Sequence, residues 1–207
     1  MPDFSIEEQF EGPVIGLDEV GRGPLAGPVI SCGCYFKNYT IQKEFSNFIK
    51  DSKKLSAKKK EASFKFLQGL KKEKIIDYHL GIANVEEIDA LNILEATKLS
   101  MKRVVEKFNL KNAFLIIDGN FSLNYQSYKE QSIIKGDSKS LSIAAASIIA
   151  KVHRDRLMKK LSMKYPHYGW EKNAGYGTKL HMENIRLLGP TAHHRKTFEP
   201  IKSLIHN

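Results

Sequence analysis

Two uninterrupted apolar runs in this sequence each end in acidic residues, and this feature constrains the fold more than any other. Residues 14–17 are followed by Asp18 and Glu19, and residues 113–117 are followed by Asp118. An apolar run without alternation predicts a strand covered on both faces. Ligands of open α/β sheets bind beyond the carboxyl ends of such strands. We therefore expect an α/β protein whose three carboxylates share one site, rather than two isolated acidic turns.

The residues after the first run favour a site for a cation and a phosphate. Asp18 and Glu19 are adjacent, so regular extended backbone would direct them to opposite faces, and we expect the chain to break there. Gly21 and Gly23 supply a break, and the guanidinium of Arg22 between them suits a phosphate group. Carboxylate oxygens are the ligands that Mg²⁺ prefers.

The same glycines match a dinucleotide-binding pattern that the following sequence does not support. The pattern Gly21-x-Gly23-x-x-Ala26 requires a helix directly after it. Here Pro24 and Pro28 follow instead, and residues 29–36 are rich in strand-forming residues. We expect these residues to form an antiparallel neighbour of the first strand, and we expect no nucleotide cofactor.

The remaining elements alternate between helix and strand. We predict a Lys-rich helix over residues 56–73, a strand over 75–82, one long helix from a capping box at 84–87 to about 107, an edge strand over 132–134 and a helix over 142–165. In the last helix Ser147, Lys151 and Asp155 are spaced by four and share one face. Asp155 can therefore reach the acidic strand ends, although a surface pair between Lys151 and Asp155 explains the same spacing.

Charge and composition indicate a polyanionic partner. The formal net charge is +10, and residues 151–207 hold 12 Lys and Arg against 4 Asp and Glu. A second cluster, residues 50–74, holds ten Lys and is explained equally well as solvated helix surface. No apolar run approaches the roughly 20 residues that span a bilayer, and the first residues do not resemble a signal peptide, so we expect a cytoplasmic protein. Cys32 and Cys34 are expected in the core.

The C-terminal quarter offers two further candidates. Tyr176 lies between two glycines, where an exposed ring would be a stacking platform and a buried ring a packing anchor. His193 and His194 have no partner at zinc spacing, so we interpret them as basic-face or packing residues.

Six motifs occur in a single order between residues 14 and 200: Asp18-Glu19-x-Gly21-Arg22-Gly23, Asp118-Gly119, Gly136-Asp137-Ser138-Lys139, Lys151-Val152-x-Arg154-Asp155, Gly175-Tyr176-Gly177-Thr178 and His194-Arg195-x-x-Phe198. With them the chain resembles bacterial ribonuclease HII, the type 2 ribonuclease H. The resemblance implies one domain with a ribonuclease H-like mixed five-stranded sheet flanked by helices. The core would cover about residues 12–165, and a basic helical extension about residues 166–207.

The resemblance also implies the activity. The family's metal-dependent endoribonucleases cleave the RNA strand of RNA/DNA hybrids and incise on the 5′ side of single ribonucleotides in duplex DNA, leaving 3′-hydroxyl and 5′-phosphate ends. Four carboxylates, here Asp18, Glu19, Asp118 and Asp155, are implied as catalytic residues and metal ligands. Two Mg²⁺ or Mn²⁺ ions about 4 Å apart would activate a water and stabilise the leaving 3′-oxygen.

Substrate contacts are carried over from the same motifs. The segment Gly21, Arg22 and Gly23 would read the ribose 2′-hydroxyl and its adjoining phosphate, and Tyr176 would pack on the sugar at the RNA-to-DNA junction. Three further residues match positions associated with the phosphate backbone: Ser52, Lys53 and Lys139. The resemblance implies a monomer that binds RNA/DNA hybrid and ribonucleotide-containing duplex DNA, without a membrane.

The sequence departs from the family pattern at one position and leaves room for competing functions. His153 occupies a position where the family pattern has Thr, and we expect an outward-facing ring without a role. Ribonuclease HIII, a sister family, has serine at the position of Arg22 and a longer N-terminal domain. Three competing functions are a ribonuclease H-superfamily nuclease that acts on DNA alone, such as a resolvase or an integrase-like enzyme, a non-catalytic hybrid-binding module, and a small-molecule dehydrogenase.

Overall fold

The computed structural model describes residues 1–40 and 57–206, so the predictions for Ser52 and Lys53 lie outside the described residues. Its five-stranded sheet has the order β3-β2-β1-β4-β5. The strands are β1 (Val14–Val20), β2 (Val29–Phe36), β3 (Ile76–Ala83), β4 (Phe114–Asp118) and β5 (Lys129–Ile133). β1, β4 and β5 run parallel, whereas β2 is antiparallel to both β1 and β3. The predicted mixed five-stranded sheet is confirmed.

Helices cover both faces of this sheet. Within the described residues they are α1 (Ala57–Lys72), α2 (Val85–Leu91), α3 (Ile93–Val105), α4 (Leu141–Lys164), α5 (Trp170–Asn173), α6 (Lys179–Leu188) and α7 (Ile201–His206). Short 3-10 turns lie at Glu7–Gln9, Gly136–Ser138 and Pro166–Tyr168. α1 and α4 pack on one face of the sheet, where Cys32 and Cys34 are buried free thiols, as predicted. α3 packs on the other face, against Ile15 and Leu17 of β1.

The predicted long helix before β4 is wrong, because it is two helices. The capping box that starts α2 is formed as predicted: Glu87 N donates to Asn84 Oδ1 and Asn84 N donates to Glu87 Oε2. The break lies at Asn92, whose φ is 70°. The Asn92 side chain accepts hydrogen bonds from the first main-chain amides of α3, at 2.9 and 3.1 Å. Asparagine tolerates this left-handed conformation and caps helices well, so it both ends α2 and begins α3.

The helices after α4 pack back onto the start of the sheet. Trp170 and Ile185 are buried against Leu25 and Ala26, which lie between β1 and β2, and against Met158 of α4. The residues that follow α4 are therefore joined to the loop after Asp18 and Glu19 through an apolar cluster. No helix among residues 1–40 and 57–206 has the length and apolar character that crossing a membrane requires.

Two smaller expectations are corrected. β1 does not break at Asp18 and Glu19: both residues pair with β2, and the strand continues to Val20. His153 does not face fully outward, and whether its ring has a role stays a prediction. It meets the ring of Phe64 from α1 edge-on at 5.3 Å, and partial burial lowers its pKa.

Candidate active site

Three of the four predicted carboxylates lie together at one edge of the sheet. β1 and β4 are parallel neighbours, with Leu17 opposite Ile117, so the next residues, Asp18 and Asp118, lie side by side towards the carboxyl ends of the two strands. Asp118 Oδ1 accepts a hydrogen bond of 2.6 Å from Gly136 N. The predicted convergence of the two strand ends is therefore present in the fold.

Burial and mutual repulsion make these carboxylates unfavourable as anions. Asp18 is 5% exposed, and its burial, together with the charges of Glu19 and Asp118, raises its pKa well above the ordinary range. Ser147 of α4 hydrogen-bonds Asp18 and opposes this shift. Burial raises the pKa of Glu19 to about 7, with Arg22 opposing the change and Asp118 adding to it.

Asp155 lies beside this group rather than in it. Its carboxylate forms an ion pair with Lys151 Nζ at 2.5 Å, which is the surface pair that the helical spacing also allowed. Glu19, Ser147 and Lys151 line a cavity of about 220 Å³, and Asp155 lines the adjoining groove, to which Lys151 also contributes. Asp155 therefore lines a groove that shares Lys151 with the cavity beside Glu19, and Lys151 is paired with the Asp155 carboxylate.

The chemistry of the acidic group fits a hard divalent cation. Glu19 Oε2 is buried and has no hydrogen-bond partner, and the available donors are carboxylate oxygens. A cation would remove the repulsion that raises the pKa values of Asp18 and Glu19. Over the described parts of the chain, no three carboxylate, imidazole or thiol groups are grouped closely enough to hold an ion as they stand. Asp118 and Asp155 are instead engaged by Gly136 and Lys151.

The glycine-arginine-glycine turn follows β1 and lies next to Tyr176. Arg22 Nη1 is 3.4 Å from Glu19 Oε1, and its guanidinium lies 5.6 Å from the ring centroid of Phe121. A methyl group built on Gly23 would lie 3.4 Å from Tyr176 Cε1. Tyr176 is 49% exposed, so its ring is available for stacking as well as packed against the turn. The turn and the tyrosine border one surface beside the acids.

A groove with many basic side chains continues from the acidic group. It has a volume of about 490 Å³ and extends from the α1 and α4 surfaces to Ala174, two residues before Tyr176. Its basic side chains are Lys60, Lys151, Arg156, Lys159 and Lys172, and its acidic ones are Glu61, Asp155 and Glu171. Lys139 is exposed at the end of the Gly136–Ser138 turn, close in sequence to Asp137, which lines the smaller cavity.

Three contributors to this region were not predicted as site residues. Ser147 bonds Asp18, the main-chain amide of Gly136 bonds Asp118, and Arg195 bonds the main chain of the glycine turn. The helical spacing of Ser147 ahead of Lys151 and Asp155 was visible in the sequence. The other two contacts join residues far apart in the chain and have no local signal.

A mixed sheet with acids at the ends of two parallel central strands, flanked by a helix that carries a fourth acid, defines the class of ribonuclease H-like nucleases. A family model described as Ribonuclease HII matches residues 15–200, and the chain belongs to this family. It is accordingly a ribonuclease H-type endoribonuclease, and the family implies divalent-metal binding.

Individual relatives agree over nearly the whole chain. The ribonuclease HII of Wolbachia pipientis subsp. Culex pipiens is 49% identical over 203 residues, which are 98% of this chain and 98% of that relative. The Zymomonas mobilis ribonuclease HII is 46% identical, with 100% of this chain and 94% of that relative covered. The Pyrococcus horikoshii ribonuclease H2 structure has a TM-score of 0.72 and 26% identity, and covers 94% of this chain and 97% of that chain.

More distant structures share the fold. The ribonuclease HII from Archaeoglobus fulgidus, solved in a complex with PCNA, matches with a TM-score of 0.73 at 23% identity, over 90% of this chain and 95% of that chain. Bst ribonuclease HIII, solved with Mn²⁺, has a TM-score of 0.69 at 17% identity, and the match covers all of this chain but only 73% of that one.

Proposed function

We propose that this chain cleaves the RNA strand of RNA/DNA hybrids and incises duplex DNA on the 5′ side of a single ribonucleotide, leaving 3′-hydroxyl and 5′-phosphate ends. The observation that carries the proposal is the position of Asp18, Glu19 and Asp118 beside a turn that contacts Tyr176. In a chain of the ribonuclease HII family, this arrangement supports a cleavage site adjacent to a surface that recognises the sugar.

Asp18, Glu19, Asp118 and Asp155 would hold the divalent cations, Mg²⁺ or Mn²⁺, in a two-ion site. The buried Glu19 Oε2 without a partner and the raised pKa values of Asp18 and Glu19 support this assignment. When bound, such ions supply Lewis-acid activation of water and stabilisation of the leaving oxygen. The protein contributes charge and orientation by Ser147 and the Gly136 amide.

The basic groove suits the phosphate backbone of the substrate. Lys60, Lys159 and Lys172 line it together with residues that border the acids, so a duplex strand lying in it would reach the cleavage site. Lysine and arginine displace counterions from a duplex, and the affinity should therefore fall steeply with salt. Lys139 and, outside the described residues, Ser52 and Lys53 are proposed to contact the same backbone.

Recognition of the sugar depends on a close approach of main chain. The 2′-hydroxyl is the group that distinguishes RNA from DNA, and it can both donate and accept hydrogen bonds. Gly23 is exposed and carries no side chain, and the Tyr176 ring lies beside it. We therefore assign recognition of the ribose 2′-hydroxyl to Gly21, Arg22 and Gly23, with Tyr176 packing on the adjoining sugar.

The test is cleavage of a DNA duplex that contains one ribonucleotide, with both product ends mapped, in Mg²⁺ and in Mn²⁺. Asp118→Asn should lower turnover by about 100-fold or more while binding survives. Asp77→Asn, at an ion pair with Lys71 on β3, is the control and should retain full turnover. Full-rate cleavage by Asp118→Asn would contradict the assignment.

Matched substrates separate the competing functions. Equal cleavage of a duplex without the ribonucleotide would favour a resolvase-like or integrase-like nuclease. Binding without cleavage in either metal would favour a non-catalytic hybrid-binding module. We further propose that the enzyme acts as a monomer, because one chain supplies all four carboxylates, and light scattering of the purified protein tests this directly.

A further inference from the structure

Two arginines beneath the glycine turn are fully buried, and their donors are directed at main-chain carbonyls. Arg154 in α4 and Arg195 near the C-terminus are both 0% exposed. In the part of the chain that the structure describes, neither forms an ion pair with a carboxylate. Burial lowers the pKa of Arg195 to about 9, and the nearby Arg154 contributes to the change. Such a costly arrangement must be offset by what the guanidinium groups hold.

Arg195 holds the turn that follows Glu19. Its Nη1 donates to Arg22 O at 2.8 Å, and its Nη2 donates to Gly21 O. Its Nε and Nη2 donate to Gly27 O at 3.0 and 2.8 Å. A planar guanidinium can serve three diverging carbonyls at once, which a lysine ammonium on a flexible stem cannot do in the same geometry.

Arg154 joins residues 26–28, which follow this turn, to the loop that carries Tyr176. Its three nitrogens donate to Pro28 O, Ala26 O and Ala174 O, at 3.0, 2.9 and 2.8 Å. Leu25 N also donates to Gly175 O at 2.8 Å. The segment after β1 and the segment before Tyr176 are thus bonded to the same side chain.

The two glycines of the turn are required for different steric reasons. A Cβ on Gly21, whose φ is +98°, would lie 2.2 Å from Arg154 Nε, so the buried guanidinium excludes any side chain there. A Cβ on Gly23 would meet only the Tyr176 ring, at 3.4 Å. Gly21 therefore makes room for the arginine below, whereas Gly23 leaves the outer surface open.

The carbonyl contacts fix where the amides of the turn point. In a trans peptide the N–H is directed opposite to the C=O. Because Gly21 O and Arg22 O face the buried guanidinium of Arg195, the N–H groups of Arg22 and Gly23 face away from it. Gly23 is exposed, so its amide is directed at the surface that Tyr176 borders.

We infer that Arg195, supported by Arg154, is a positioning residue that sets the selectivity for a ribonucleotide by aiming the Arg22 and Gly23 amides at the ribose 2′-hydroxyl and its phosphate. The inference rests on the proposed function and extends it to a residue that does not touch the substrate. Loss of Arg195 should therefore weaken the distinction between ribonucleotide and deoxyribonucleotide more than it weakens binding to a duplex.

The test compares two affinities by fluorescence anisotropy in Ca²⁺, used as a non-cleaving ion: one for a DNA duplex with a single ribonucleotide, and one for the same duplex without it. In Arg195→Lys the ratio of the two affinities should fall by about fivefold, the value of one misdirected hydrogen bond. Arg103→Lys, at an ion pair with Glu87, leaves the carbonyl contacts of Arg195 in place, so it is the matched control and should keep the ratio. A merely destabilised protein would lower both affinities equally.

Each outcome decides a separate point. An unchanged ratio in folded Arg195→Lys overturns the positioning role and leaves the proposed function intact. A wild-type protein that neither prefers nor cuts the ribonucleotide duplex overturns both. If Arg195→Lys does not fold, Phe198→Leu decides: the Phe198 ring lies 4.9 Å from the Arg195 guanidinium, so its removal keeps the arginine but takes away packing that holds the guanidinium against the carbonyls. The ratio should then fall by about twofold, and an unchanged ratio rejects the inference.

Discussion

Acidification to about pH 5 should destabilise the C-terminal helices through a buried histidine pair, because the hydrogen bonds of that pair require both rings to be neutral. The Trp170 indole donates to His181 Nε2 at 3.0 Å, so the His181 proton is on Nδ1, which donates to Tyr176 O at 2.9 Å. Thr191 N donates to His194 Nδ1 at 2.8 Å, so the His194 proton is on Nε2 and donates to His181 Nε2 at 3.0 Å. A further proton on either ring would point at a hydrogen-bond donor, so protonation breaks these hydrogen bonds.

The magnitude follows from the pKa of His194. Burial, with His181 nearby, lowers this pKa to about 3 from the ordinary 6.5. Between these values the unfolded chain binds more protons than the folded one, so the stabilisation is complete above pH 6.5 and is lost as the pH falls towards 3. At about pH 5 the loss from His194 alone is about 2 kcal/mol of the free energy of unfolding. Burial also lowers the pKa of His181, which adds in the same direction.

The assay must separate this effect from one of opposite sign. The pKa of Glu19 is raised to about 7, so its contribution to stability grows as the pH falls through that value. Urea unfolding is measured for wild type and for His194→Gln, each at about pH 7.5 and about pH 5. The contribution of Glu19 is the same in both proteins, so it cancels when their changes in unfolding free energy are subtracted. The variant should lose about 2 kcal/mol less than wild type on acidification. His167→Gln, at an exposed histidine, should behave like wild type.

A pH dependence that is the same in wild type and His194→Gln, to within about 0.5 kcal/mol, would refute the assignment of a neutral buried pair. If the variant does not fold, an NMR titration of the wild-type rings gives the answer directly. If the His194 ring takes up a proton near its ordinary pKa of 6.5, the assignment of a neutral buried pair is likewise refuted.

Other substitutions test the packing, the capping and the cation site. Gly81→Ala would place a Cβ 2.0 Å from Ser100 O of α3 and should lower the free energy of unfolding by about 3 kcal/mol or more. Gly69→Ala meets no atom within 4 Å and should stabilise α1 by about 0.5–1 kcal/mol. Urea unfolding measures both changes. Asn92→Ala removes the cap of α3 and forces alanine to a φ of 70°, and should cost about 1–2 kcal/mol in the same assay. Mn²⁺ should raise the melting temperature of wild type, and Asp18→Asn should lose that increase; an equal increase in both would place the ion elsewhere.

The sheet could be predicted because its central strands carry an unambiguous signal. β1, β2 and β4 are buried on both faces and read as continuous apolar runs, and each lies where the sequence indicates. The predicted edge strand over residues 132–134 begins three residues after the start of β5, because the first residues of β5, Lys129, Glu130 and Gln131, show no apolar pattern. The break at Asn92 was missed because apolar residues recur at helical spacing on both sides of it.

The candidate site could be predicted as a set of residues but not as an arrangement. The parallel pairing of β1 and β4 is enough to bring Asp18 and Asp118 together. The helical spacing of Asp155 is compatible both with reach towards the acidic strand ends and with a surface pair to Lys151. The structure contains the Lys151 ion pair. Which donor engages a carboxylate depends on side-chain distances of a few tenths of an ångström, and spacing along a helix does not contain that information.

Arg154 and Arg195 explain why the electrostatics of the site could not be read from net charge. Both would be counted as part of the basic C-terminal quarter, yet neither reaches solvent. The charge of Arg195 acts through peptide groups: because it binds the Gly21 and Arg22 carbonyls, the N–H groups of Arg22 and Gly23 face outward, so the turn presents partial positive charge at its outer surface. Dipoles fixed in this way need no rearrangement when a phosphate arrives. A buried cation can therefore favour an anionic ligand that it never contacts, provided that the main chain between them is held rigid.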